Sequence, residues 1–416
     1  MVVRPQCTTV SCKFCPKKME WLEPTREAVA GRFGTFLDKA TKLSWPWIVA
    51  LTLAHLYAAA ALVVAIASEE TAPDGPTPLT GDQFAYRFPP VGGLSAVYEL
   101  DLLVATMLSL TLWHAAFNEQ AMLATAGVGL GFVTETLSLR FGGTHCHASG
   151  LLNFTMCSSL NSILYYVPWV YACTTCASRL TNTASWTFPL VCGMMFFGMC
   201  GPYESQGPMM GWWLWPQADG LVKAGVDLWQ FGAPGEDDRG LVAADHAYEA
   251  LATRAFGVPA LAPYFHFAFG WGIATAFQAQ VRWSLPGGAI APVLLGPALG
   301  MLWDPPVRII FWTLGANKLA AAMGIMGSAL AVSFFAAPAL TPAPPADPLL
   351  FSIPLLNGLF FVSNAIIGRG VPTLPGELKL FVLCVAGCAT VAYARAAGLI
   401  VPGTWSGKDK VDGFMV

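Results

Sequence analysis

Apolar residues run in long unbroken blocks along this chain, and charged residues collect in the short stretches between the blocks. The clearest blocks are Trp45 to Ala67, Leu94 to Phe117, Ala121 to Leu139, Thr155 to Ala177, Thr187 to Gly201 and Val258 to Val281. Ala289 to Trp303, Ile309 to Ala336, Leu349 to Ile367 and Leu378 to Ile400 follow. A bilayer core takes about 20 helical residues to cross, so these blocks predict transmembrane helices. The expected fold is all-α, a polytopic transmembrane helix bundle of about 8–10 spans. The range reflects the Pro- and Gly-rich stretch near Pro286 to Pro306, which also suits a re-entrant or broken helix.

The polar stretches divide the chain further. Residues 1–43 read as a basic, Cys-containing leader with an interfacial amphipathic helix over Glu20 to Lys42, and 44–201 as the first five spans. Residues 202–257 read as a loop, tryptophan-rich near the bilayer (GPYESQGPMMGWWLWP) and acidic in water (GAPGEDDRG). Residues 258–403 hold the remaining spans, with a rigid proline-rich connector at Thr341 to Pro348, and 404–416 form a polar tail. Asn118, Glu119 and Gln120 are expected to form a tight turn that makes the second and third spans antiparallel neighbours.

Composition sharpens this picture. Only 11% of the 416 residues are charged, against about 25% in a soluble domain, and mean hydropathy is +0.55. Such a chain cannot coat a water-facing surface of its size. The net charge of -3 offers no field for nucleic acid. Arg4, Lys13, Lys17, Lys18, Arg26, Arg32, Lys39 and Lys42 precede the first span, whereas Glu69, Glu70, Asp74 and Asp82 follow it. The positive-inside rule then puts the N-terminus on the cytoplasmic side, and an even span count returns the C-terminus there. Most of the eleven cysteines lie in or beside apolar runs and read as small buried apolar residues; Cys7, Cys12 and Cys15 sit in the leader. The three leader cysteines suit a metal ion or a palmitoyl group, but no fourth ligand lies nearby; no metal or cofactor is expected, and oligomeric state is not legible.

Ionisable residues at membrane depth are costly and tend to mark a pathway or an active site. Glu99 and Asp101 open the second span, His114 lies near its end, and Glu135 lies about one turn inside the end of the third. A carboxyl that deep can hold a proton at neutral pH. His145 and His147 follow in ETLSLRFGGTHCH, where the Gly142-Gly143 turn folds them back over that helix end; Glu99 or Asp101 is expected to approach Glu135 there. A His-x-His pair beside carboxylates fits a metal site, a proton relay or a general acid and base, and spacing alone does not separate them. Near the span ends, Glu99, Asp101, His145 and His147 also fit a solvated interface. Tyr203, Trp212, Trp213 and Trp215 form an aromatic stretch that suits either an apolar ligand or an interfacial belt. His266 and Trp271 lie in AFGVPALAPYFHFAFGWG, and Asp304, Arg308 and Lys318 form a separate polar group.

The order of these motifs resembles the carotenoid-biosynthesis hydratase family, membrane proteins that hydrate the ends of acyclic carotenoids. The resemblance covers Glu135 to Trp271 and rests on Glu135, Gly142, Gly143, His145 and His147, then Val167-Pro168-Trp169, GWWLW, and the Gly-Val-Pro and Gly-Trp between Gly257 and Trp271. The family's Asp-Pro before the tryptophans is Gly201-Pro202 here, with Glu204 the carboxylate that can take its place. What the resemblance implies is protonation of a terminal alkene to a tertiary cation and capture of that cation by water. In that reading Glu135, His145, His147 and Glu204 are catalytic, and Tyr203, Trp212, Trp213, Trp215, His266 and Trp271 bind the substrate.

Two other classes compete with an enzyme acting on an isoprenoid or carotenoid-like lipid by hydration or isomerisation. One is a proton-coupled transporter or channel, in which Glu135 and the histidines relay protons. The other is a subunit of a membrane complex without chemistry of its own.

Overall fold

The computed structural model describes Gly31 and residues 34–67, 96–137, 146–147, 150–155, 158–210, 212–214, 254–255, 258–259, 262–284, 290–302, 345–367 and 376–399. Residues up to Ile48 form one unit and those from Val49 onward another. In the first, residues 34–41 are helical, within the expected interfacial helix, and an exposed Lys42–Asp38 ion pair follows at 2.7 Å. The leader cysteines, the acidic part of the long loop, the run Ile309 to Ala336 and the Asp304, Arg308 and Lys318 group lie outside the described residues.

The described chain is mostly helical. Helix α1 (Trp45–Ala67) is followed by α2 (Ala96–Phe117), α3 (Ala121–Phe132), the short α4 (Leu160–Leu164), α5 (Tyr166–Leu180) and α6 (Thr187–Met210). Then come α7 (Ala262–Trp283), α8 (Ile290–Met301), α9 (Pro348–Ile367) and α10 (Gly376–Ala396). Among the described residues, three helical stretches are long and apolar enough to cross a membrane: Trp45–Ile66, Tyr98–Phe117 and Pro348–Ile366. Their burial differs by place: 22% of the first window is buried and 67% of the second, so α1 is peripheral and α2 internal. Paired strands of two or three residues link the helices: β1 (Cys146–His147) with β4 (Trp213–Leu214), β2 (Asn153–Thr155) with β3 (Ser158–Ser159), and β5 (Arg254–Ala255) with β6 (Val258–Pro259).

Several elements depart from the sequence pattern, each for a local reason. The block Thr155 to Ala177 is not one helix. Ser159 is extended, the Leu160 amide donates to the Leu152 carbonyl at 2.7 Å, and the helix starts only at Leu160. Polar Ser158, Ser159 and Asn161 favour that turn. Pro168 is tolerated in α5 because it sits in the first turn, where amides have no helical acceptor. In the other direction, α6 continues past Gly201 to Met210, through GPYESQGP, which reads as a loop by its Gly and Pro content. Tertiary contact overrides that propensity: Gln206 Nε2 donates to the Phe361 carbonyl of α9 at 2.7 Å. Helix α7 starts at Ala262 because Val258–Pro259 form β6.

Helix α7 packs between α6 and α8, α3 lies on α5 and α8, and α10 joins α9 to α6. Glycine sets these distances. A Cβ on Gly131 of α3 would lie 2.1 Å from the Ile163 carbonyl oxygen, and one on Gly127 would lie 2.5 Å from Val167 Cα. Gly272 of α7 meets the Gly296 carbonyl of α8 at 2.2 Å in the same sense. Such contacts are the close backbone approach that drives helix association where no hydrophobic contrast exists. The turn between α2 and α3 is the expected Asn118-Glu119-Gln120, with Glu119 at φ 56°, a left-handed conformation uncommon outside glycine.

One polar staple holds α2, α5 and α9 at their ends. The Asp347 carboxylate takes a hydrogen bond from the Leu350 amide at 3.1 Å, lies 2.9 Å from His114 Nε2 and pairs with Arg179 Nη2 at 2.5 Å. Burial pushes this carboxyl up. The His114 hydrogen bond and charge, the Leu350 amide and the Arg179 guanidinium outweigh burial and hold it down at about 2 from an ordinary 3.8.

In the purified protein in detergent, Gly131→Ala should lower unfolding stability by about 1–3 kcal/mol through overpacking. Gly387→Ala, at a helical position with nothing within 4 Å, should leave stability unchanged or raise it by up to about 1 kcal/mol; equal losses in thermal melts would refute the role given to glycine. Because the Asp347 carboxyl titrates lower when folded than when unfolded, its contribution is complete above about pH 4 and is lost as pH falls toward about 2. Melts across that range should show about 2 kcal/mol of acid-dependent stability that Asp347→Asn lacks.

Candidate functional site

Helix α3 does not end cleanly. Its last turn widens into a π-helical turn, Val133–Leu137, a distortion often found at functional sites, and this turn carries Glu135. The widening lies next to Gly131, where α3 touches the backbone at Ile163. Glu135 is 4% exposed, and both of its oxygens are engaged: Oε2 lies 2.6 Å from His147 Nε2, and Oε1 accepts from the Tyr166 hydroxyl at 2.8 Å. Tyr166 opens α5, and His147 belongs to β1, where it stands opposite Trp213 of β4. The expected meeting of Glu135 with His147 is therefore present.

Asp101 lies on α2. It bonds the Tyr57 hydroxyl of α1 through Oδ1 and the Leu151 amide at 3.1 Å through Oδ2, which ties the segment after β1 to α1 and α2. That position makes it a structural anchor.

A second buried carboxylate–imidazole pair lies between α6 and α7. Glu204 Oε1 is 2.6 Å from His266 Nε2, and both residues are buried. The pair forms because the two helices approach closely nearby, where a Cβ on Gly270 would lie 2.9 Å from Gly193 Cα. Tyr166, Cys200 and Tyr203 each interact electrostatically with both Glu135 and Glu204, so the two pairs share one buried neighbourhood.

The rest of that neighbourhood is aromatic. Trp169 is fully buried, with ring centroids of Tyr165, Tyr203 and Phe196 at 4.1, 5.1 and 5.9 Å. His266 stacks on Phe196 at 6.0 Å and meets Trp169 edge-on at 6.0 Å. Tyr203 stacks on Trp212 at 6.2 Å, and Trp212 in turn stacks on Phe360 of α9 at 5.7 Å. The hydrogen bond from the Tyr165 hydroxyl to Asn357 Oδ1, 2.7 Å, fixes the cluster to α9.

Of the residues expected to act, Glu135, His147, Glu204, Tyr203, Trp212 and His266 belong to this neighbourhood. Trp271 is half-buried further along α7, outside the Glu204–His266 pair. His145 and Trp215 lie outside the described residues, and Trp213 is described through its backbone pairing with His147. Sequence reasoning gave no role to Tyr165, Tyr166, Phe196 or Cys200, and took Trp169 only as part of a motif. The signal available was the run Tyr165-Tyr166-Val167-Pro168-Trp169, three large rings at a break in an apolar block.

Chemically, a buried carboxylate beside an imidazole can hold one proton between them and give it up or take it back. Two such pairs beside one set of rings can supply an acid and a base to the same bound molecule. Among the described residues, no group of three or more His, Cys, Asp or Glu side chains is arranged to hold a metal ion. No family model, no curated protein and no solved structure matches the chain.

Proposed function

We propose that this is an integral membrane enzyme that spans the bilayer several times with its N-terminus on the cytoplasmic side. In this reading it moves a proton onto and off a double bond of an isoprenoid-like lipid. The observation that carries the reading is the pair of buried dyads, Glu135–His147 and Glu204–His266, in one aromatic neighbourhood. An apolar substrate matches such surroundings, and acid–base work on an alkene needs a donor and an acceptor.

The proton held between Glu135 and His147 passes to one alkene carbon, and the other becomes a tertiary cation. The Tyr166 hydroxyl, bonded to Glu135 Oε1, holds the carboxyl in place as it gains negative charge. Trp169, Phe196 and Tyr203 present electron-rich rings, each worth about 0.5–2 kcal/mol to a nearby cation. The Glu204–His266 dyad then accepts a proton. If that proton leaves a neighbouring carbon the double bond has moved; if it leaves a captured water the product is an alcohol. In both cases one dyad gives a proton that stays on the product, and the other takes a different one.

Glu135→Gln keeps the size and the hydrogen bond from Tyr166 but has no acidic proton, so turnover should fall by at least about 100-fold while the fold persists. Phe196→Leu, which removes one ring, should slow the reaction about fivefold. Lipid extracts from cells with and without the protein, and the purified variants in lipid, give the readout by mass spectrometry and double-bond position. Full conversion by Glu135→Gln would remove it as the acid. Uptake of a solute coupled to protons, with no altered lipid in any sample, would replace the enzyme by a transporter.

A further inference from the structure

Buried polar atoms in folded proteins nearly always have a partner, so those that lack one mark the place of a water or a ligand. Among the described residues, three such atoms belong to side chains joined by contacts, Trp169 edge-on to His266 and His266 bonded to Glu204: Trp169 Nε1, Glu204 Oε2 and His266 Nδ1. Each belongs to a side chain at least nine-tenths buried, with exposures of 0%, 6% and 5%. The other faces of these groups are already used, since Glu204 Oε1 and His266 Nε2 bond each other and the Trp169 ring packs against Tyr165 and Tyr203.

The three atoms have complementary needs. An indole N–H can only donate, a carboxylate oxygen accepts, and an imidazole nitrogen does either. His266 Nδ1 faces away from Nε2, which bonds Glu204, so one oxygen bridges the indole N–H to Glu204 Oε2 or to His266 Nδ1 and not to both. Such a bridging group must accept one hydrogen bond and donate another, which an alkene carbon, a carbonyl or an ammonium cannot do. A hydroxyl oxygen does both. We infer that the corner between Trp169, Glu204 and His266 binds a hydroxyl oxygen, either the alcohol of a bound apolar lipid or a water held beside it.

This deepens the reading given above, because it rests on the lipid lying among these rings. It also assigns Trp169 a hydrogen-bonding role beyond packing. A site built to bond a hydroxyl rejects the same molecule without it, since its own buried groups then stay unpaired.

The test is binding, independent of turnover. The full chain in lipid nanodiscs is titrated with linalool, an acyclic terpene alcohol, and with β-citronellene, a related acyclic terpene hydrocarbon without the hydroxyl. Wild type should prefer the alcohol by about tenfold over the preference set by partitioning into empty discs. Trp169→Phe removes the N–H and keeps a ring, Glu204→Met keeps the approximate size and removes both carboxyl oxygens, and both should abolish that preference; Glu135→Gln should retain it. A cryo-electron microscopy map of the ligand-free protein supplies the second arm. No preference for the alcohol, together with an oxygen peak bonded to Trp169 Nε1 and Glu204, assigns the corner to water. An alcohol preference unchanged in both variants overturns the inference. So does the lack of any preference with the corner empty or filled by a protein group. Should the preference appear while Glu135→Gln remains fully active, the corner stands and the acid assignment fails. An inactive Glu135→Gln with no preference and no oxygen removes the corner and leaves the acid in place.

Discussion

A carboxylate taken into an apolar interior has to find a donor there, because water is no longer present to solvate it. Among the described residues, Glu135, Glu204, Asp101 and Asp347 meet that constraint with partners from other segments. Glu135 reaches His147 and Tyr166, Glu204 reaches His266, Asp101 reaches Tyr57 and the Leu151 amide, and Asp347 reaches His114 and Arg179. Each bond therefore fixes the position of one element on another. With apolar faces that pack almost equally well in several registers, these few directional contacts select the register that is observed.

Such contacts require the helices to come close, and close approach is what glycine allows. Gly127 and Gly131 let α3 touch the backbone of α4 and α5, which leaves the widened turn at Glu135 beside Tyr166. Gly193 and Gly270 do the same for α6 and α7, and the Glu204–His266 bond spans those helices. Small residues and buried charges thus serve one purpose here. The first set the distance between helices and the second set their rotation and offset.

How much of this the sequence reveals depends on whether a feature is local. Trp45 to Ala67 and Pro348–Ile367 are legible because uniform apolar blocks of that length have few alternatives. Glu135 is legible because its depth in a block is a matter of counting, and His147 because a Gly-Gly pair, a turn signal, stands between the two in the sequence. The Glu204–His266 pair is not, since nothing in the composition of either segment specifies which helices meet. The break before Leu160 and the helix through Tyr203 and Glu204 run against local propensity in opposite directions. In the first, serine and asparagine side chains compete for the backbone; in the second, Gln206 and the aromatic contacts of α9 hold together a segment rich in glycine and proline.

The two carboxylate–imidazole bonds have the same length and unequal histories. Glu135 and His147 are separated by 12 residues along the chain, whereas Glu204 and His266 are separated by 62. The entropy lost in joining two points of a flexible chain grows with the logarithm of the distance between them, so the shorter loop closes at lower entropic cost. Its members sit on one helix end and on β1, the next described element in the chain, and they can meet as soon as that stretch has emerged. The longer loop closes only after α6 and α7 have docked. Assembly of the chain is accordingly ordered, with one half of the candidate site available early as a local nucleus and the other arriving only once α6 and α7 have docked, so that the pair of dyads is complete only after that step.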